Sequence, residues 1–131
     1  MTGRQAAALL AVTDGVLAWI QADGSWWINN AGAITTPEDV ILIDTCATEK
    51  RTRALLQAVN QVTQDAPITL AVNTHQHGDH PYGNSLLPET TVIIGHEATR
   101  AGLLADPVIN GCPPSGIRSR TGAASPAGHP R

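Results

Sequence analysis

Apolar and polar residues alternate along most of the chain with two periods. Val40-Ile41-Leu42-Ile43-Asp44 is an unbroken aliphatic run ending in a carboxylate, which predicts a strand covered on both faces and central in a layered fold. Thr48 to Gln64 follows with helical period. Leu55, Val59 and Val62 fall at i, i+4 and i+7, and Lys50, Arg51, Arg53, Gln57 and Gln61 lie elsewhere on the wheel. Glu49 suits the N-terminal end of the helix dipole, and Pro67 stops the chain beyond the far end. A second apolar run, Ile68 to Thr74, predicts another strand. Thr90 to Gly95 predicts a third, and His96 to Leu104 a second helix.

Ahead of these segments the first clear element is Val16 to Ile20. The Asp23-Gly24 turn signal and the aromatic, β-branched segment Ser25 to Ala31 predict a hairpin whose returning strand ends or bends at Gly32. The tryptophans Trp26 and Trp27 could serve as a ligand-stacking platform, but neighbours on opposite strand faces more simply cover a core edge. A turn at Thr36-Pro37-Glu38-Asp39 leads into the central run. The order is hairpin, strand, helix, strand, loop, strand, helix, which predicts an α/β layered arrangement with at least one helix-covered sheet.

At 131 residues and 42% hydrophobic content this is one domain or part of one, and the net charge of −3 points to no particular partner. All eleven acidic residues, from Asp14 to Asp106, lie in the first 106 positions, opposed there only by Arg4, Lys50, Arg51, Arg53 and Arg100. An acidic body argues against a nucleic-acid surface. Residues 12–106 are read as the folded domain. Residues 107–131, rich in Pro, Gly and Ser, are read as a disordered tail, with the folding information stopping near residue 106 through truncation or a reading-frame shift.

Two cysteines, Cys46 and Cys112, are too few for a disulfide framework, and Cys46 reads as a packed thiol. No segment approaches the roughly 20 apolar residues that span a bilayer, so no membrane partner is expected. The stretch Gln5 to Val12 is too short for a secretory signal, and a cytoplasmic location is expected.

The chemistry concentrates in His75-Gln76-His77-Gly78-Asp79-His80, which holds three of the five histidines. Three imidazoles and a carboxylate are the donors a transition metal takes. His75 and His77, two apart, share one side of an extended segment. Gly78 permits a sharp turn, from which Asp79 and His80 project on adjacent residues. The simplest inference is two neighbouring metal sites, one held by His75 and His77 and the other started by Asp79 and His80. A bound divalent ion lowers the pKa of its water to about 7, which points to hydrolysis, with Asp79 placed to orient or deprotonate the nucleophile. An isolated H-x-H would more simply be a surface loop that binds metal adventitiously.

The segment Asn73-Thr74-His75-Gln76-His77-Gly78-Asp79-His80 resembles the signature of the metallo-β-lactamase-fold superfamily of metal-dependent hydrolases. Val40 to Asp44 with Thr45 resembles that family's strand ending in an aspartate that supports the ligand loop, and Gly95-His96-Glu97 resembles the strand and helix beyond it. The resemblance covers about residues 12–104 and implies the N-terminal αβ half of an αββα sandwich. It implies that His75 and His77 bind a first zinc ion, and Asp79 and His80 a second. His77 stands where related di-iron oxidoreductases carry a glutamate. Pro81-Tyr82-Gly83-Asn84 departs from the Gly-Gly of glyoxalase II and many lactamases, and Asn84 reads as a capping residue before a substrate contact.

The family's second half supplies a third histidine for the first metal, with a bridging carboxylate and another histidine for the second. Neither His96, better suited to packing or capping, nor His129 in the tail replaces these. The expectation is a metal-dependent hydrolase of a small-molecule substrate, incomplete in this chain or completed by a second chain. The alternative is a non-catalytic truncated fragment with half of the metal site, and a nuclease of the same superfamily is disfavoured by the acidic body. An uncovered inner sheet face implies self-association.

Overall fold

A computed structural model describes residues 6–22 and 24–109. The Pro/Gly/Ser-rich segment, with Cys112 and His129, lies outside the described residues from residue 110 onward.

One six-stranded sheet organises the chain: β1 (Ala8–Thr13), β2 (Val16–Ile20), β3 (Ala31–Thr35), β4 (Val40–Ile43), β5 (Ile68–Val72) and β6 (Val92–Ile94). The spatial order follows the sequence order. β1 to β4 pair antiparallel, and β5 and β6 then add in parallel. The parallel step from β4 to β5 requires a crossover, which α1 (Glu49–Thr63) supplies; α2 (Glu97–Ala105) follows β6. The α/β layering expected from the sequence is the one observed.

Two elements differ from the sequence reading. An additional hairpin turning at Asp14-Gly15 precedes the expected one and makes Ala8–Thr13 a strand where no element was expected. Gly15 sits at φ +73, where L-residues are strained, and its carbonyl accepts from the Thr35 amide at 2.8 Å. The returning strand of the second hairpin is Ala31–Thr35 rather than Ser25–Ala31. Small residues win there because Ala33 lies between Leu17 and Leu42 under the core, and Gly32 pairs within the ladder instead of ending it.

α1 forms where the period placed it. Thr48 caps it by accepting from the Arg51 amide at 3.2 Å, and Gln64 ends it in the left-handed region at φ 54. Its buried stripe is Thr52, Leu55 and Val59, while Val62 is 60% exposed and not a core residue. The stripe shifts toward the N-terminus because Thr52 is drawn inward. Its hydroxyl accepts from the Cys46 amide at 3.2 Å and donates to the Cys46 carbonyl at 3.3 Å.

Leu17, Trp19, Ala33, Val40, Leu42 and Ala71 of one sheet face pack with Leu55 and Val59 of the helix. Among the described residues the two faces of β4 are covered unequally: Val40 and Leu42 are fully buried, whereas Ile41 and Ile43 are half-buried. The register carries this second face across the sheet as two aliphatic rows. One joins Val16, Ile34, Ile41, Leu70 and Val92, and the other joins Leu10, Ala18, Gly32, Ile43, Val72 and Ile94. No helix among the described residues is long and apolar enough to cross a membrane.

Candidate metal centre

The segment from His75 to His80 leaves the C-terminal end of β5, beside the end of β4. Beyond Ile43 the chain passes through Asp44 at φ +63, and the Asp44 amide donates to the Val72 carbonyl at 2.8 Å. Aspartate visits this conformation more readily than bulkier residues. The twist turns a carboxylate with a side-chain exposure of 5% toward the adjoining loop. There it accepts from the Thr74 amide at 2.8 Å, the Thr74 hydroxyl at 2.7 Å and His80 Nδ1 at 2.8 Å.

These bonds favour one neutral tautomer in each of two histidines. In the neutral ring Nδ1 of His80, 2.8 Å from an Asp44 carboxylate oxygen, carries the proton and leaves the Nε2 lone pair for a ligand. Thr74 Oγ1 has one proton and gives it to Asp44. Its 3.0 Å contact with His75 Nδ1 is therefore satisfied when that nitrogen is the donor. Asp44 and Thr74 thus present the Nε2 lone pairs of both His75 and His80, the arrangement that orients histidine ligands in metal sites.

The predicted residues are neighbours. The His75 ring centroid lies 4.9 Å from that of His77 and 4.1 Å from that of His80. Asp79 Oδ2 stands 3.3 Å from His80 Nε2. His77 is exposed, and His75, Asp79 and His80 are half-buried, so the donors face outward from a buried base. Among the described residues no three His, Cys, Asp or Glu side chains form a group that could hold an ion. The residues fit a metal in donor chemistry and in the support behind His80 and His75. They offer it pairs of ligands, not a closed set.

The loop is braced from below. Thr45 donates both its amide and its hydroxyl to the His80 carbonyl, each at 2.7 Å, and its hydroxyl accepts from the Gly83 amide at 3.0 Å. Asn73 and Asn84 exchange side-chain amide bonds at 3.2 and 2.7 Å, clamping the start of the loop to the 3-10 turn Tyr82–Leu86. The side chain of Asn84 therefore closes the loop's base instead of capping the turn. Gly78 does not use a positive φ, contrary to the role expected of it; a Cβ there would strike the Tyr82 ring and Trp27, so glycine is required by close approach. Gln76 packs against Gly102 of α2. Tyr82 is hydrogen-bonded to Asp106, and its hydroxyl pKa is pushed up by desolvation and then by that carboxylate. His96 caps α2 through Nδ1, which accepts from the Ala98 amide at 3.0 Å.

Beside the loop stands an aromatic wall that the sequence had placed on a strand. Residues 24–30 form a turn-containing loop, with Trp27 at φ +63. Trp27 packs on Trp26 at 4.8 Å and on Tyr82 at 5.7 Å between centroids. Trp19 is in the core, but Trp26 is 84% exposed and covers no core edge. Trp26, Trp27, His77 and Asp79 line an open pocket of about 380 Å³.

A buried polar chain ties this wall to the ligand loop. Arg51 donates to Gln21 Oε1 at 2.7 Å, the Gln21 side-chain amide donates to the Asn29 carbonyl, and Asn29 donates to the Thr45 carbonyl at 2.7 Å. Neither Gln21 nor Asn29 stood out in the sequence, where only the polar pair Asn29-Asn30 inside an aromatic segment hinted at a loop. Cys46 lies beneath, fully buried, and burial pushes its thiol up to about 11. It is a packed thiol, as expected.

A mixed sheet with a crossover helix, and a histidine-rich loop at the end of its first parallel strand pair, define a class of αβ folds that carry metal-dependent chemistry. The family model for the metallo-beta-lactamase superfamily matches residues 24–107, and the chain belongs to that superfamily. Among solved structures it is similar to the metallo-beta-lactamase FIM-1 from Pseudomonas aeruginosa in its mono-zinc form, with 22% identity and a TM-score of 0.59 over 72% of this chain and 44% of that one. A metallo-beta-lactamase from Hirschia baltica gives 19% identity and a TM-score of 0.59, over 76% of this chain and 48% of that one. The inverting sec-alkylsulfatase Pisa1 from Pseudomonas sp. gives 26% and 0.53, over 63% of this chain and 12% of that one. The chain thus spans under half the length of these lactamases and a small part of the sulfatase. No curated protein sequence matches it.

Proposed function

We propose that this chain contributes the first ligand half of a dinuclear zinc hydrolase site, with His75 and His77 serving one ion and Asp79 and His80 the other. The hydrogen-bond chain His75–Thr74–Asp44–His80 carries this reading, because it holds two imidazoles in the tautomer a metal needs. Bound divalent ions supply a water whose pKa is lowered to about 7. Asp79, half-buried beside His80, is placed to orient that water or hold its proton. The pocket lined by Trp26 and Trp27 receives an apolar part of a small-molecule substrate next to His77 and Asp79. Additional ligands must close each coordination shell, since four donors shared between two zinc ions fall short of four apiece.

A second reading, a non-catalytic unit that keeps partial metal binding, is favoured by the lack of any three-donor group among the described residues. Metal analysis of the purified chain, with hydrolysis assays on ester, lactam, thioester and secondary alkyl sulfate substrates, separates the two. About two bound zinc ions per chain, with turnover abolished by His77→Ala, supports the hydrolase. Zinc bound without turnover supports the second reading, and a chain that takes up no zinc refutes both.

A further inference from the structure

We propose, on the reading of His75 to His80 as metal ligands, that Gln21 is a positioning residue for the ligand loop, acting through Asn29 and Thr45 on the backbone of His80. Gln21 follows β2 and continues its inward row after Leu17 and Trp19, and all three are buried. An aliphatic side chain would suit that row, and a buried amide costs stability unless its hydrogen bonds are made. Gln21 makes them to three segments at once. Its Oε1 accepts from Arg51 of α1 at 2.7 Å, and its Nε2 donates to the Asn29 carbonyl and lies 3.7 Å from Cys46 Sγ. Its backbone amide donates to Asn30 Oδ1 at 2.8 Å.

The polarity of the links admits one arrangement. A guanidinium only donates, so Arg51 selects the Gln21 orientation with Oε1 toward itself and Nε2 toward Asn29. A carbonyl only accepts, so that of Thr45 selects the Asn29 orientation with Nδ2 toward it at 2.7 Å and Oδ1 toward Gln21 Nε2 at 3.3 Å. Thr45 in turn donates its amide and its hydroxyl to the His80 carbonyl. Donors point the same way at every step, from a permanent cation to the backbone of His80, and bonds aligned in this way polarise and strengthen one another. Thr45 is held through its carbonyl by Asn29 and through its amide and hydroxyl by His80. That restrains the torsions next to Asp44, whose φ of +63 aims its carboxylate at Thr74 and His80. Asn29 also belongs to the loop that carries Trp27, whose ring packs on Tyr82. One network thus sets the ligand loop and the aromatic wall in a common frame anchored on α1.

Gln21→Met keeps the shape of the side chain and removes its links. Val59→Ala, which opens a cavity in the core further along α1, is the comparison for lost stability alone. Both variants are expected to unfold at lower urea. Only Gln21→Met is expected to shift the His80 imidazole signals in nitrogen–proton correlation spectra of the metal-free full chain. It alone should also weaken zinc binding, by about 2- to 30-fold in chelator competition. If Gln21→Met does not fold, Arg51→Met, which removes only the half-buried end of the network, takes its place in both measurements. A His80 spectrum or a zinc affinity that matches the wild type, or equal changes in Val59→Ala, overturns the proposal. A wild-type chain that takes up no zinc ends the metal reading instead. The metal-free spectra then decide the positioning role alone: it stands if His80 moves only in Gln21→Met, and it falls otherwise.

Discussion

Replacing Asp44 by Asn tests whether the carboxylate behind the loop sets the histidine tautomers or merely fills space. The change is nearly isosteric, and Asn tolerates the φ of +63 found there. One amide oxygen can still accept from the Thr74 amide, as Oδ1 does at 2.8 Å. The NH2 group then faces the Thr74 hydroxyl and His80 Nδ1, both of which now donate to Oδ2 at 2.7 and 2.8 Å. The hydroxyl can rotate to accept. His80 Nδ1 can accept only if its proton moves to Nε2, the nitrogen a metal would use. Exchanging bonds to a charged acceptor, about 1.5–3 kcal/mol, for neutral ones of about 0.5–1.5 kcal/mol predicts a stability loss of about 1–3 kcal/mol. Zinc affinity should fall about 10–100-fold. Urea unfolding measures the first, chelator competition the second, and nitrogen–proton correlation spectra of the imidazoles read the tautomer without metal. If stability falls while His80 keeps its proton on Nδ1 and zinc affinity is unchanged, Asp44 is a structural residue and the argument for the site fails.

Other expectations follow from the same contacts. Gly78→Ala forces a methyl into the Tyr82 ring and Trp27, and should cost about 1–3 kcal/mol in urea unfolding with a change in tryptophan fluorescence. Asn29→Ala leaves the buried Thr45 carbonyl without its 2.7 Å donor, and a similar loss of about 1–3 kcal/mol should appear in the same measurement. The Cys46 thiol, raised from 9.0 to about 11, stays protonated in the fold where an unfolded chain would ionise. Stability from this group is therefore complete below pH 9 and declines by roughly 1–3 kcal/mol as pH rises toward 11. Unfolding of a Cys112→Ser chain across that range, compared with a Cys46→Ala counterpart, isolates the effect.

The parts of the fold set by local signals were readable, and the parts set by distant contacts were not. α1 combines a clear period with caps at Thr48 and Gln64, so its limits fell within a residue of those expected. β3 was misplaced because Trp26, Trp27 and Ile28 have higher strand propensity than Ala31-Gly32-Ala33. Packing beneath Leu17 and Leu42 demands small residues there, and propensity yields to that demand. β1 was passed over although Asp14-Gly15 marked its turn as plainly as Asp23-Gly24 did. The four candidate ligands were legible because they are contiguous. Their bracing by Asn29, Gln21 and Asn84 joins segments distant in sequence, which one sequence without contact information does not reveal.

The aliphatic run Val40–Ile43 was expected to be covered on both sides, and among the described residues one side is only half-covered. That difference bears on the site as well as the fold. Ile43 and Val72, the last residues of β4 and β5, belong to that face, and Asp44 and the ligand loop follow them directly. Whatever covers the face removes water from the base of the loop. Lowering the local dielectric there strengthens the Asp44–His80 hydrogen bond and any electrostatic stabilisation the site provides. The apolar rows at the ends of β4 and β5 thus set the polarity in which the histidines work. Covering the sheet and completing the site are therefore linked physical problems, and the strand ends at Ile43 and Val72 are where they meet.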